Sequence, residues 1–428
     1  MIKNKKSKEL FEKAIKIIPL WTQTFSKSYL SYYKWDVPHF IEKWDGAYVW
    51  DVDGNKYIDF INWLLPVVIG YNIKEINEKI IHQLNKWIIF SLSHPIEYEL
   101  SKKITEIIPS AEMVRFWKSW SDATSSSIRL ARYITKREKV VVCGYHGWQD
   151  WYIWSTTRNG GVPKCVQELT LRFEYNNISS LEKIFIENKN EIAAVIMEPM
   201  NVEFPRDNFL QKVQDLCKNY WALFILDETI TGFRFGLWWA QQYFGVTPDL
   251  SAFWKSMANG MPISALVWKR EYMEKVEDIF FSWTYLWETL SMASAMATIE
   301  FIEKYDVADV LNKNGLYLRN WVNEILKKFN LDWSIDIVGH NSWQLFRFKD
   351  YNNVRAIQLK SFLQKELIEN GVLWFGSFNM SYSHSIEVIN EALHIFENAI
   401  KNLKTSLENW TIDEIIGWKE ISDIFKVR

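Results

Sequence analysis

Between residues 113 and 268 the chain alternates short apolar runs with helical stretches, and this alternation restricts the fold more than any other feature. MVRFW (113–117), KVVVCGY (139–145), AAVIMEP (193–199), ALFILDE (222–228) and PISALVW (262–268) are apolar runs of strand length. Between them, SDATSSSIRLARYITKR (121–137) and residues 207–219 carry helical spacing. Ser121 and Asp122 read as the caps that open the first of these helices. Strands apolar on both faces, separated by helices, predict an α/β domain with a mainly parallel central sheet.

The flanks read differently. AYVWDVDGNKYIDFI (47–61) is a hairpin signal around Asp53-Gly54-Asn55. Helical patterns follow at about 73–88 and 96–108. From about residue 311 long helices with a few short strands predict a smaller α+β domain. The expected division is residues 1–60 as an N-terminal helix and hairpin packing with the small domain, 61–310 as the large domain, and 311–428 as the small one. Leu10, Phe11, Ala14, Ile15, Ile17 and Ile18 are spaced as one face of a surface helix, without the apolar core of a signal peptide. No apolar run reaches 18 residues, so no membrane span is expected. Lys and Arg number 50 against 52 Asp and Glu, a net charge of -2 that provides no basic face for nucleic acid. Cys143, Cys165 and Cys217 are odd in number and far apart, as reduced thiols of a cytoplasmic protein would be.

In open α/β sheets ligands bind beyond the carboxyl ends of the strands. Four such ends carry candidate residues. KSWSDA (118–123) lets a strand feed a helix N-terminus, where free N–H groups and the helix dipole favour an anion; it holds Trp120, Ser121 and Asp122. CGYHGWQDW (143–151) places Tyr145 and His146 just past a strand. MEPMN (197–201) holds Glu198 and Asn201. LDETITGFR (226–234) sets Asp227 and Glu228 at a strand end, and Lys255 follows 28 residues after Asp227. Taken singly, each has an ordinary reading as a cap, a paired charge, a solvated lysine or a packing residue. Their order along the chain is the informative feature.

An anion cradle, a flat side chain, a strand-end carboxylate and a lysine suit pyridoxal 5'-phosphate. The carboxylate would hold the pyridine nitrogen protonated, and the lysine would form an imine. LDETITGFRFG and FWKSMANGMPISA resemble the Asp-Glu…Thr-Gly-Phe-Arg and Lys-x-x-x-x-Gly-x-Pro motifs of class III (subgroup II) aminotransferases. The similarity runs from about residue 20 onward and is greatest to the glutamate-1-semialdehyde aminomutase branch. It implies fold type I of the pyridoxal-phosphate-dependent transferases. It also implies that Lys255 forms the Schiff base, Asp227 pairs with the pyridine nitrogen, and Tyr145 stacks on the ring beside His146. Ser121 and the amides at 120–122 would bind the phosphate. Asn201 falls near the phenolic oxygen, with Glu198 beside it. Thr289 would reach the phosphate from the partner subunit, making a homodimer the smallest complete assembly.

The implied function is transfer of an amino group between a small amino donor and a carbonyl acceptor, or within one molecule. The aminomutases hold a substrate carboxylate through a Ser-Pro-Val-Arg-like stretch, where this chain has Thr22-Gln-Thr-Phe-Ser-Lys-Ser28, without arginine. A keto-sugar of polysaccharide assembly is therefore the alternative acceptor. The segment SFNMSYSHS (377–385) resembles the family's substrate-side loop. A catalytically silent structural or regulatory homologue is a further alternative. There is no His-Glu-x-x-His, no zinc-spaced cysteine pair and no Gly-x-Gly-x-x-Gly, so neither a metal site nor a nicotinamide site is expected.

One anomaly crosses all of this. The chain has 24 Trp and only 16 Gly, where average usage would give roughly 30 Gly. Trp120, Trp221, Trp238, Trp239, Trp254, Trp268 and Trp287 stand where the family has glycine. So do Trp21, Trp35, Trp44, Trp63, Trp87, Trp154 and Trp418 on weaker matches, whereas Trp50, Trp148 and Trp151 fit as tryptophan. The expectation is a source that reads UGA as glycine. Literal indoles at 120 and 254 would crowd the phosphate cradle and the lysine.

Overall fold

The computed structural model describes residues 4–28, 30–32, 37–236, 239–417 and 420–421. Trp35, Trp238, Trp418 and the side chain of Trp239 lie outside the described residues. The chain divides into two compact units, Met1–Ile73 with Asp309–Ile424, and Lys74–Ala308. Residues 61–73 therefore join the N-terminal segment. The reason is pairing: Gly46 and Tyr71 exchange main-chain hydrogen bonds of 2.9 and 2.8 Å, and Tyr382 and Ser383 donate to the carbonyls of Val68 and Ile69.

The first unit opens with helix α1 (Lys5–Ala14), which buries Phe11 and Ala14. Leu10, Ile15 and Ile17 are exposed, so the buried face is narrower than the spacing predicted. Strands β1 (Ile41–Asp45), β2 (Tyr48–Asp51) and β3 (Lys56–Asp59) form an antiparallel meander. The β2–β3 turn carries Gly54 at φ +87°, a left-handed conformation natural to glycine.

The second unit begins with helices α2 (Lys74–Leu84) and α3 (Pro95–Ile107). Strand β4 (Met113–Trp117) leads into helix α4 (Trp120–Thr135). Strands β5 (Lys139–Cys143), β6 (Thr170–Arg172), β7 (Ile192–Met197), β8 (Leu223–Asp227), β9 (Leu250–Phe253) and β10 (Ser264–Trp268) follow. They assemble in the order β4-β10-β9-β8-β7-β5-β6. From β9 to β6 every neighbouring pair is parallel, and β10 runs antiparallel to both β9 and β4. The fold is that α/β architecture with a mostly parallel central sheet. Every residue of β7, β8, β9 and β10 is buried, which explains their unbroken apolar character.

The C-terminal part adds β11 (Ile335–His340), β12 (Trp343–Phe348), β13 (Val372–Leu373) and β14 (Ser377–Asn379). β13 pairs parallel with β3, so the two ends of the chain share one sheet, and β11-β12-β14 form another. Among the described residues no helix is long and apolar enough to cross a membrane.

Several tryptophans sit badly for their type. Trp221 terminates the helix Phe209–Tyr220 in the left-handed region, φ +58°, with 81% of its surface exposed. That conformation costs a residue with a Cβ about 1–2 kcal/mol, and glycine is its usual occupant. Trp268 is fully buried at the end of β10, and its indole N–H has no partner among the described residues.

Candidate active site

Tyr145, His146, Glu198, Asn201, Asp227 and Lys255 follow or end β5, β7, β8 and β9, and Trp120, Ser121 and Asp122 follow β4, all within the Lys74–Ala308 unit. Asp227 is the last residue of β8 and is buried. Its Oδ2 lies 2.9 Å from Nδ1 of His146, and its Oδ1 accepts from the Thr229 N–H at 3.1 Å. His146, fully buried past β5, has Nε2 3.1 Å from the Cys143 carbonyl, and its own carbonyl accepts from the Thr124 hydroxyl at 2.8 Å. Both ring nitrogens thus face acceptors, which locks the imidazole in one orientation.

Helix α4 opens at Trp120. Its N-cap is Ser119, whose Oγ accepts from the Asp122 N–H at 3.3 Å, while Asp122 Oδ2 accepts from the Ser119 N–H at 3.0 Å. This corrects the expectation that Ser121 and Asp122 cap the helix. A carboxylate at the third helical position reaches back to the residue before the helix, so Ser119 caps and Asp122 closes the box. Ser121 is left free to face the 145–148 loop, and its Oγ accepts from the Trp148 N–H at 3.3 Å. That approach requires Gly147: its φ is +124°, and a Cβ there would stand 2.5 Å from Ser121 Oγ.

Glu198 follows β7 directly. It accepts from the Tyr145 N–H at 3.2 Å and from the Asn201 side-chain amide. Burial pushes its carboxyl up to about 7, opposed by the charge of His146 and reinforced by that of Asp227. Strand β9 delivers Lys255 through Trp254 into a 3-10 turn, Lys255–Ala258. Among the described residues the Lys255 amine makes no hydrogen bond or ion pair. Its surroundings lower it to about 8 by desolvation, which the charges of Glu198 and Asp227 oppose and that of Arg234 reinforces.

The structure also adds residues that the sequence reading left out. Arg234, at the end of the LDETITGFR motif, is fully buried and lowered to about 9 by desolvation. Thr124 holds the His146 main chain, and the Tyr152 hydroxyl donates to the Gly144 carbonyl at 2.5 Å. Position in the motif was the available signal for Arg234; nothing local marks Thr124 or Tyr152. Thr289 is not in hydrogen-bond contact with these residues. It is buried, and its hydroxyl accepts from the Gln83 amide at 3.1 Å and lies 3.0 Å from the Ile88 carbonyl.

Residues 31–399 match the family model of class III aminotransferases. The chain belongs to the class III aminotransferases. It is 35% identical to glutamate-1-semialdehyde 2,1-aminomutase 2 of Lachnoclostridium phytofermentans, over 92% of this chain and 99% of that protein. It is 33% identical to a 3-aminobutyryl-CoA aminotransferase of Cloacimonas acidaminovorans, over 92% and 97% of the two chains. In fold it is similar to the pyridoxal-phosphate internal aldimine form of Sphingopyxis FumI, with a TM-score of 0.89, 24% identity and coverage of 96% and 99%. A Pseudomonas aeruginosa glutamate-1-semialdehyde aminomutase in complex with PMP gives 0.82 at 18% identity, covering 93% and 94%. As a class III aminotransferase the chain is an enzyme of amino-group chemistry, and its cofactor is pyridoxal phosphate.

The donor set of this class III aminotransferase suits that cofactor. Lys255 offers an unpartnered amine, Asp227 a strand-end carboxylate, and α4 a helix N-terminus beside the Ser121 hydroxyl. One residue does not fit. The Trp120 indole N–H donates to Asp227 Oδ2 at 2.9 Å. Its ring meets Tyr145 edge-on at 4.9 Å and lies nearly parallel to Trp254 at 6.2 Å. The indole takes up the carboxylate on which a pyridine nitrogen depends, and it packs edge-on against Tyr145.

Proposed function

We propose that this class III aminotransferase works in the cytoplasm as a homodimer on a short amino-carbonyl compound. Glutamate 1-semialdehyde is the first substrate to test and 3-aminobutyryl-CoA the second, since the two relatives in sequence are named for them. A keto-sugar acceptor is the alternative. Pyridoxal phosphate, when bound, supplies the carbonyl that takes the amino group and the ring that draws electron density from the reacting carbon. In this reading Lys255 Nζ takes up and returns the proton at the substrate carbon. Asp227, oriented by His146, presents a carboxylate oxygen to the cofactor's ring nitrogen. Ser121 and the first amides of α4 bind phosphate, with Asp122 holding the helix end in shape. Tyr145 covers the ring, Glu198 and Asn201 line its edge, and Thr289 serves the partner's site. The proposal includes UGA decoded as glycine at the tryptophans that replace family glycines.

The observation that carries this reading is the unpartnered Lys255 amine beside a carboxylate fixed by a buried imidazole. The test is amino-group transfer by the chain as written and by Trp120→Gly, each with and without Lys255→Ala. Turnover that survives Lys255→Ala overturns the assignment.

A second reading, the catalytically silent homologue, is favoured by one contact, that of the Trp120 indole with Asp227.

A further inference from the structure

We infer that the Trp120 indole occupies the place of the cofactor's ring, and that the working protein carries glycine at position 120. The inference rests on the cofactor reading above and concerns what fills that site.

The geometry is specific. A ring bound here needs its nitrogen at Asp227 and its face against an aromatic side chain. The indole meets the first condition and stands beside the aromatic of the second: its N–H is 2.9 Å from Asp227 Oδ2, and its ring centre lies 4.9 Å from that of Tyr145, edge-on rather than stacked. Trp254 lies nearly parallel to it, with ring centres 6.2 Å apart. A flat ring with an N–H at one edge has been found for the slot from within the chain itself. With glycine at 120 the indole N–H is gone, and among the described residues Oδ2 keeps His146 alone.

An independent observation bears on identity, away from the site. Trp21, Trp63, Trp87, Trp221 and Trp410 all have φ between +51° and +91°. A bulky residue there is an outlier, whereas glycine adopts it freely. Trp87, Trp221 and Trp410 are also 63%, 81% and 67% exposed, so packing does not compensate them. Trp410 was not among the positions marked by motif, so backbone conformation extends the set. Trp21, Trp154 and Trp268 bury an indole N–H with no partner among the described residues, but so do Trp117 and Trp374, which stand at no marked glycine position, so unpaired indoles do not separate the two groups. Backbone conformation and the blocked slot thus agree with the glycine deficit of the composition.

The test has two arms. In the first, the full chain as written, Trp120→Gly and Trp120→Ala are titrated with pyridoxal phosphate, followed by cofactor absorbance and by thermal melting, with circular dichroism to verify folding. The expected result is binding by Trp120→Gly at least about tenfold tighter than by the chain as written, with Trp120→Ala in between and a melting shift only where binding occurs. Equal binding by the written chain and the variants overturns the blocked slot and leaves the cofactor reading intact. Folded variants that bind no cofactor overturn both. The second arm reads the codons for 120, 221 and 410 in the source DNA, with Trp148 and Trp151 as controls. UGA at the three and UGG at the controls is expected. UGG at 120 overturns the glycine assignment whether or not the variants fold.

Discussion

His146 Nδ1 lies 2.9 Å from Asp227 Oδ2, with both side chains buried. The two residues come from different strand ends; with the Thr229 N–H on Oδ1, the bond fixes the orientation of the Asp227 carboxylate and leaves Oδ2 shared between His146 and whatever ring nitrogen faces it. A hydrogen bond to a charged group is worth about 1.5–3 kcal/mol. His146→Ala is expected to lower kcat/KM by about 10- to 100-fold. Steady-state kinetics on the cofactor-loaded enzyme would check this, and an unchanged rate would mean that Asp227 is held without the imidazole.

Lys255 yields a prediction in pH. Its folded amine is lowered to about 8 from the ordinary 10.5. Below pH 8 both folded and unfolded states hold the proton, and the cost of the desolvated charge is fully present. Between 8 and 10.5 the unfolded state holds more protons, so stability rises with pH through that window. Denaturant midpoints at about pH 7.5 and about pH 10 should differ in this sense, and Lys255→Met should reduce the difference. Imine formation on adding pyridoxal phosphate to the cofactor-free enzyme should speed up as the amine deprotonates near pH 8.

Glu198 behaves in the opposite sense. Its folded carboxyl is raised to about 7 from 4.5. Between those values the folded state holds more protons, so this group's contribution to stability falls as pH rises from 4.5 to 7. Glu198→Gln should flatten that part of the stability profile. A profile identical to that of the parent would show the carboxyl to be solvated.

Trp221→Gly should stabilise the chain. The left-handed cap is relieved by about 1–2 kcal/mol, part of which is returned through the greater freedom of glycine when unfolded. With 81% of Trp221 exposed, little packing is lost. A net gain on the order of 1 kcal/mol is expected, measurable as a higher denaturant midpoint with unchanged slope. A lower midpoint would mean that the indole packs in solution.

Gly147→Ala should act locally. A Cβ at 2.5 Å from Ser121 Oγ, on a backbone with φ +124°, must displace either the loop or the serine. A loss of about 1–3 kcal/mol is expected, with cofactor affinity falling more than the melting temperature. Affinity at the parental level would show that the loop yields without moving Ser121.

Much of the fold was legible because the parallel strands are buried on both faces. β5, β7 and β8 therefore appear as uninterrupted apolar runs, and Asp227 is visible as the first polar residue where one ends. β6 was not visible: three residues, Thr170–Arg172, are too few to set a period. The direction of β10 was equally hidden, because antiparallel and parallel strands buried on both faces have the same composition. The N-cap was misread by two residues, since Ser119, Ser121 and Asp122 all satisfy the local preference and only side-chain geometry separates them.

By itself the sequence determined the alternation of strands and helices, the order of the chemical groups along the chain, and the imbalance of tryptophan over glycine. These are local or compositional properties, written in neighbouring residues. The tertiary structure alone decided that Trp120 reaches Asp227, 107 positions away. That contact depends on the order β4-β10-β9-β8, which sets where α4 begins relative to the end of β8. Strand order is fixed by packing between segments distant in the chain, and no local period records it.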